Sequence, residues 1–232
     1  MHQSQPSPTI DSLDETDIVE RIYAAVMEQR LPPGTKLGEA QLCKAFGVRR
    51  SRVRRSLLVL ASREIVELEA NRGAFVARPT PEQAREVFQA RRTIEPTVAR
   101  LAAERMTPEV LATLRAHLDA EVEANRAGDR RRAIRLSGAF HVILAENSGN
   151  HVFERMMKEL VARTSLILGM FGTPGMENCR FDEHGSLFAA LRDGDAAKAE
   201  ALMLKHLVHI EAGLEMSRGK PDEIDLVSLF AD

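Results

Sequence analysis

The stretch at residues 44–62, KAFGVRRSRVRRSLLVLAS, holds Lys44, Arg49, Arg50, Arg52, Arg54 and Arg55, with no acid between Glu39 and Glu64. At helical spacing Val53, Leu57 and Leu60 fall on one stripe, within about 60° of each other, and predict a buried face. Arg52 and Arg54 flank that stripe, Arg55 lies nearly opposite it, and Arg49 and Arg50 occupy the N-terminal end, so the basic side chains are not core. Leu58 and Val59 also fall outside the stripe, which calls for a second packing surface.

Upstream, Ile18, Ile22 and Val26 recur every four residues in TDIVERIYAAVMEQR, with Thr16 or Asp17 placed to cap an amphipathic helix. Pro32, Pro33 and Gly34 stop it. EAQLCKAF then predicts a second short helix with Leu42 and Phe46 inward, closed by Gly47, and Ser51 is a candidate N-cap for the next. Downstream, EIVELEA and GAFVARP are two short β-rich runs joined through NRG, a hairpin with Gly73 at its tip. Three helices closed by a hairpin, the third laden with arginine, make a winged helix-turn-helix.

Composition sets the outer limits. The chain has 232 residues, 44% hydrophobic and 28% charged, with no Trp and one Tyr, which suits a helical globular protein of two domains. No apolar run approaches the roughly 20 residues needed to cross a bilayer. The opening MHQSQPSPTIDSLDE lacks a basic start and an apolar segment, so it reads as a disordered tail and not a secretory signal, and the chain is expected in the cytoplasm. Cys43 and Cys179 are too few for a disulfide framework. Residues 1–78 carry 12 Lys+Arg against 10 Asp+Glu, leaving 20 and 24 of the chain's 32 and 34 for the remainder. The basic front is the part suited to a polyanion.

A helix in the major groove presents its N-terminal residues to base edges, where arginine offers a two-pronged fork to guanine. Arg50 and Arg54 are therefore the candidate base readers. Arg49, Arg52, Arg55 and Lys44 are candidate phosphate contacts, Ser51 lies among them, and Arg72 beside Gly73 could reach the duplex from the hairpin tip. A solvated helix face is the plain alternative.

These residues carry a resemblance. LPPGTKLGEAQLCKAFGVRRSRVRRSL followed by NRGAFVA resembles the N-terminal domain of GntR-family transcription regulators, whose pattern runs PGxxLxExxLAxxxGVSRTPVREAL and then NRGxxV. Pro33, Gly34, Leu37, Glu39, Leu42, Gly47, Val48, Arg50, Val53, Arg54, Leu57 and Gly73 match. Arg49, Arg52, Arg55 and Ser56 depart from the pattern's Ser, Pro, Glu and Ala, and the three arginines are expected to raise DNA affinity. VFQARRTIEPTVARLAAERM, FHVILAENSGN and DEHGSLFAALRDGDAAKAEALMLKHL resemble the FCD effector-binding domain of one GntR subfamily. Independently, residues 81–105, 107–127, 130–147, 150–172, 183–192 and 195–217 read as helices.

The expected fold is mainly α, a winged helix-turn-helix domain followed by an all-helical antiparallel bundle. Its parts are a disordered tail (1–13), the DNA-binding domain (14–78), a linker (79–82), a helical effector-binding and dimerisation domain (83–217) and a C-terminal tail (218–232).

His141, His184 and His206 lie on three predicted helices, and their spacing allows them either to converge on a divalent ion or to serve as hydrogen-bonded core residues. The resemblance implies convergence, on zinc, nickel or a similar ion. Where metal-binding FCD domains have an aspartate four residues before the first His, this chain has Ser137, a poor ligand, which leaves water, the effector or Cys179 to complete the shell. The resemblance also implies that an arginine at Arg91 points into the cavity and pairs with a carboxylate effector. Arg92, Ser137, Asn150 and His209 join it as candidate effector contacts, and an ion pair of Arg91 or Arg92 with Glu95 is the alternative.

The function implied is a ligand-responsive transcription regulator, a homodimer on a palindromic DNA operator whose affinity a small organic acid or related metabolite modulates. A metal-dependent hydrolase with an appended basic domain, Glu183 acting as base, is the alternative, and use of the winged helix for protein contact alone is a third reading. No enzyme is expected, because no nucleophile elbow or phosphate cradle is present.

Overall fold

The computed structural model describes residues 13–172, 183–216 and 226–230. The expected disordered tail, apart from residue 13, and Cys179 lie outside them. The chain forms two compact units, one from the residues up to Val26, Arg30–Ala77 and the C-terminal segment, the other from Met27–Gln29 and Arg78–Gly219.

In the first unit, α1 (Glu15–Met27) begins before either anticipated cap. Asp14 and Asp17 cap it reciprocally, each backbone N–H donating to the other's carboxylate at 2.9 and 2.8 Å, so Asp17 sits inside the first turn. The prolines then redirect the chain into a strand the sequence did not announce, β1 (Lys36–Leu37). α2 (Glu39–Phe46) ends at Gly47, whose φ of 65° lets its N–H reach the Cys43 carbonyl. α3 (Arg50–Ser62) follows, with Val53, Leu57 and Leu60 buried as the stripe requires. Its N-cap is Arg49, not Ser51, and no side chain caps it. Outside the stripe, Leu58 is 58% exposed and Val59 is half-buried. β2 (Val66–Glu69) and β3 (Gly73–Val76) form the hairpin, turning through Asn71 and Gly73 at φ 61° and 100°. β3 is central in the sheet: it pairs antiparallel with β2, Val66 opposite Val76, and with β1, Lys36 opposite Phe75.

Among its described residues the second unit is built from helices, α4 (Pro81–Ala103), α5 (Pro108–Arg126), α6 (Arg130–Glu146), α7 (His151–Phe171), α8 (Glu183–Arg192) and α9 (Ala196–Ala212), with one isolated β-bridge between Gly172 and Leu214. These agree with the expected segments within a few residues. Thr80 and Thr107 cap α4 and α5, each followed by a proline at the position where a missing N–H costs nothing. α4 is the central helix, packed on α9 and α7, and Ala84, Phe88, Ile167, Phe171 and Ile210 close one core cluster. A Cβ at Gly138 would stand 2.9 Å from Val161 Cγ1, so glycine permits the close approach of α6 to α7. Among the described residues no helix is long and apolar enough to cross a membrane.

The end of the chain departs from the expected tail. A short helix, α10 (Leu226–Leu229), belongs to the first unit and packs on α2. Leu226 and Phe230 are buried, and the Phe230 ring lies 4.8 Å from that of Phe46. Two apolar residues at four-residue spacing suffice to bury this turn. Truncation of that ring, Phe230→Ala, should cost the first unit about 3 kcal/mol. The chain's one tyrosine, Tyr23, lies in α1, so its fluorescence during urea denaturation reports this loss.

Candidate functional site

Two constellations merit description, one in each unit. In the first, Arg50 and Arg54 stand one turn apart on α3, with side chains 62% and 60% exposed. Both meet Glu39 in the first turn of α2: Arg50 Nε lies 3.0 Å from Oε2 and Arg54 Nε 2.7 Å from Oε1. Lys44 and Arg49 are exposed and Ser51 lies beside them. Arg72, at the hairpin tip next to Gly73, pairs with Glu69.

The departures from the family pattern form a group of their own. Arg52 donates to the Leu13 carbonyl at 2.5 Å, Arg55 pairs with Glu15 at 2.7 Å, and the Ser56 hydroxyl, fully buried, donates to the Glu15 carbonyl at 3.3 Å. All three turn toward the start of α1. Arg52 and Arg55 are thus engaged within their own unit, as Arg50 and Arg54 are through Glu39, and the Arg55 side chain is still 59% exposed.

In the helical unit, α6, α8 and α9 carry His141, His184 and His206 to one point, with a ring nitrogen of each within 4.8 Å of the others and all three buried. Behind each ring stands a carboxylate. Glu121 Oε2 is 3.0 Å from His184 Nδ1, Glu183 Oε2 is 2.8 Å from His206 Nδ1, and Glu95 Oε2 is 2.6 Å from His141 Nδ1, this last contact misaligned for a hydrogen bond. Because a carboxylate only accepts, Nδ1 of His184 and Nδ1 of His206 carry the proton, which leaves Nε2 of these two rings as a bare lone pair. His184 Nε2 and His206 Nε2 face each other 3.2 Å apart. Two nitrogen ligands on a tetrahedral ion with bonds of about 2.1 Å stand about 3.4 Å apart, so the pair matches a shared divalent cation. Phe140 stacks on His184 at 4.3 Å and forms a dry wall. A histidine set with carboxylates behind its Nδ1 atoms fits zinc or nickel.

Burial pushes the pKa values of His141 and His206 down, His206 to about 3, so these two rings are neutral and able to ligate at pH 7. Burial opposes ionisation of Glu95, but Arg91 and His141 together outweigh it and hold the carboxyl at about 2. Hydrogen bonds from His206 and then His209 hold Glu183 at about 2. Glu183 is thus an acceptor fixed between two imidazoles.

Arg91 is buried, paired with Glu95 and donating to Thr164 Oγ1 at 3.1 Å, and its Nη2 has no partner among the described residues. The ion pair weighed in the sequence therefore exists, but in the interior and not at the surface. Arg91 lines a cavity of about 20 Å³ with Ser137, Gly138, His141, Thr164 and Ser165. That is room for about one water, so any larger ligand must displace side chains. Of the other candidates, His209 reaches the histidine site through the Glu183 it shares with His206, Arg92 pairs with Glu211, and Asn150 caps α7 by accepting from Val152 and Phe153 N–H. Sequence reasoning missed Glu121 and Thr164, whose partners are distant along the chain and give no local signal.

Below pH 6.5 the unfolded chain takes up protons that buried His206 refuses until about pH 3, and below about 4.5 the same holds for Glu95. Metal-free protein should therefore lose stability steadily as pH falls from 6.5 toward 3, as read by urea midpoints at successive pH values.

Comparison with known proteins places this geometry. The family model "FCD domain" matches residues 86–209, and "Bacterial regulatory proteins, gntR family" matches residues 15–76. The chain is 28% identical over 205 residues to the HTH-type transcriptional regulator LutR of Bacillus subtilis, covering 78% of this chain and 92% of that one. It is 28% identical over 221 residues to the galactonate operon transcriptional repressor of Escherichia coli, covering 83% and 94%. Among solved structures, E. coli McbR/YncC superposes with a TM-score of 0.76 at 21% identity, covering 84% of this chain and 93% of that one, a likeness of fold.

Proposed function

Because the chain belongs to the GntR family of bacterial regulators, in the group that carries an FCD domain, we propose that it binds a palindromic operator as a homodimer under the control of a small carboxylate metabolite. It is a DNA-binding transcription regulator and not an enzyme, which overturns the hydrolase alternative.

The observation that carries the sensing half of the reading is the meeting of His141, His184 and His206 beside an unpartnered Arg91 Nη2. These imidazoles would hold a divalent ion, which when bound supplies a fixed positive charge and an open coordination position. Arg91 would bind and orient the carboxylate of the metabolite, with Ser137 and Thr164 offering hydroxyls. The galactonate operon repressor is a relative whose named operon concerns a hydroxy acid, which supports an acid ligand here. The small cavity means that the ligand enters by parting side chains, and binding there is reciprocally coupled to binding of DNA.

For the DNA half, Arg50 and Arg54 read base edges, while Lys44, Arg49 and Arg72 meet phosphate. Leu204 and Val208, 44% and 46% exposed at four-residue spacing on α9, give the helical unit an apolar strip that supports pairing of two copies.

Purified protein should carry about one divalent ion per chain by mass spectrometry of its metals, and His184→Ala should lose it by at least tenfold in affinity. Equal content in both would end the metal reading. Against an operator selected from random duplexes by the wild-type protein, Arg54→Ala should cost about 1–3 kcal/mol of discrimination over scrambled duplex. Lys44→Ala should weaken both duplexes alike and lower the salt slope by about 1. Equal losses of discrimination from the two would contradict the assignment of base and phosphate readers.

A further inference from the structure

The one acid that meets both base-reading arginines is Glu39, and its geometry is unlike that of an ordinary surface pair. Its two oxygens are divided between Arg50 and Arg54, and each arginine is met at Nε. Both arginine side chains are more than half exposed, while that of Glu39 is 29% exposed. A carboxylate placed this way adds little to stability, since exposed ion pairs contribute little. It also sets a negative charge where a polyanion would dock, which lowers affinity for any duplex.

We propose that Glu39 is a specificity-determining positioning residue: it locks Arg50 and Arg54 side by side so that both forks face adjacent base edges. The inference rests on the reading of those two arginines as base contacts. An arginine side chain has many rotamers, and fixing it on a guanine sacrifices that freedom at binding. Glu39 removes the freedom beforehand, for two readers at once, through the side of each guanidinium that the bases do not need. The same carboxylate repels phosphate that is not compensated by correct base contacts, so its two effects on random and cognate DNA have opposite sign. Its place in the first turn of α2 suits the role, because the N-terminal end of a helix favours an acidic side chain and holds it on a rigid element.

The test uses the full chain with duplex selected by the wild-type protein and a scrambled duplex of equal composition, titrated by fluorescence anisotropy from 50 to 200 mM salt, a range over which phosphate contacts separate by about a thousandfold or more in affinity. Glu39→Gln should tighten binding to scrambled duplex, steepen its salt dependence and weaken binding to the selected duplex, so that discrimination falls by about tenfold or more. Glu39→Asp keeps the charge on a stem one carbon shorter, and should restore the weak binding of scrambled duplex without restoring discrimination. If Glu39→Gln tightens both duplexes equally, Glu39 is only a screen of positive charge and the proposal fails. If it weakens both equally with a lowered thermal midpoint, the residue is only structural and the proposal fails. Failure of the underlying reading looks different: Arg50→Ala and Arg54→Ala would then leave discrimination intact, whereas loss of discrimination in those two alone would sink only the role of Glu39.

Discussion

The constraint on which the helical unit depends is the burial of charge in its middle. Glu95, Arg91 and three imidazoles are almost fully removed from water, with Glu121 and Glu183 closing on them from the rim. An isolated ion at such a depth costs several kcal/mol, so each must be answered by another. The chain answers them in series: Thr164 to Arg91, Arg91 to Glu95, Glu95 to His141, and from there to the facing nitrogens of His184 and His206. Removing either member of the Arg91–Glu95 pair strands a charge in low dielectric, and removing any other link leaves a buried polar atom without its partner. The helices that contribute to it, α4 through α9, are thereby set in register by polar contacts, while the apolar clusters supply the bulk of the packing.

The reading unit solves a different problem. It exposes positive charge while restraining four of its arginines, each by a tether within reach. Arg50 and Arg54 share Glu39, Arg55 leans on Glu15, and Arg52 reaches the backbone at Leu13. The stripe of Val53, Leu57 and Leu60 fixes the rotation of α3 about its axis, and the tethers fix what lies on its other side.

Much of this was legible in the chain itself. Periodicity located every long helix, because apolar spacing and the threonine and aspartate caps are local signals, and the arginine cluster marked α3 as the exposed reader. β1 escaped, since two residues carry no period of their own and pair only because β3 offers an edge. Residues 218–232 looked like a tail because a single apolar turn is invisible without the α2 surface that covers it. At the histidine site the three rings were found from the resemblance, whereas Glu121 lies 63 residues from the ring it supports and could be found only in space. Arg92 and Asn150 had the right neighbourhood in sequence, but helix rotation sent one to Glu211 and chain direction made the other a cap.

Residues from both ends of the described chain meet in the DNA-reading unit, where Phe230 covers Phe46. During synthesis the ribosome must deliver the whole sensory half before the covering turn emerges. Until then Phe46 keeps its aromatic face bare, so the core of the first unit closes only after the residues of the helical unit have been made.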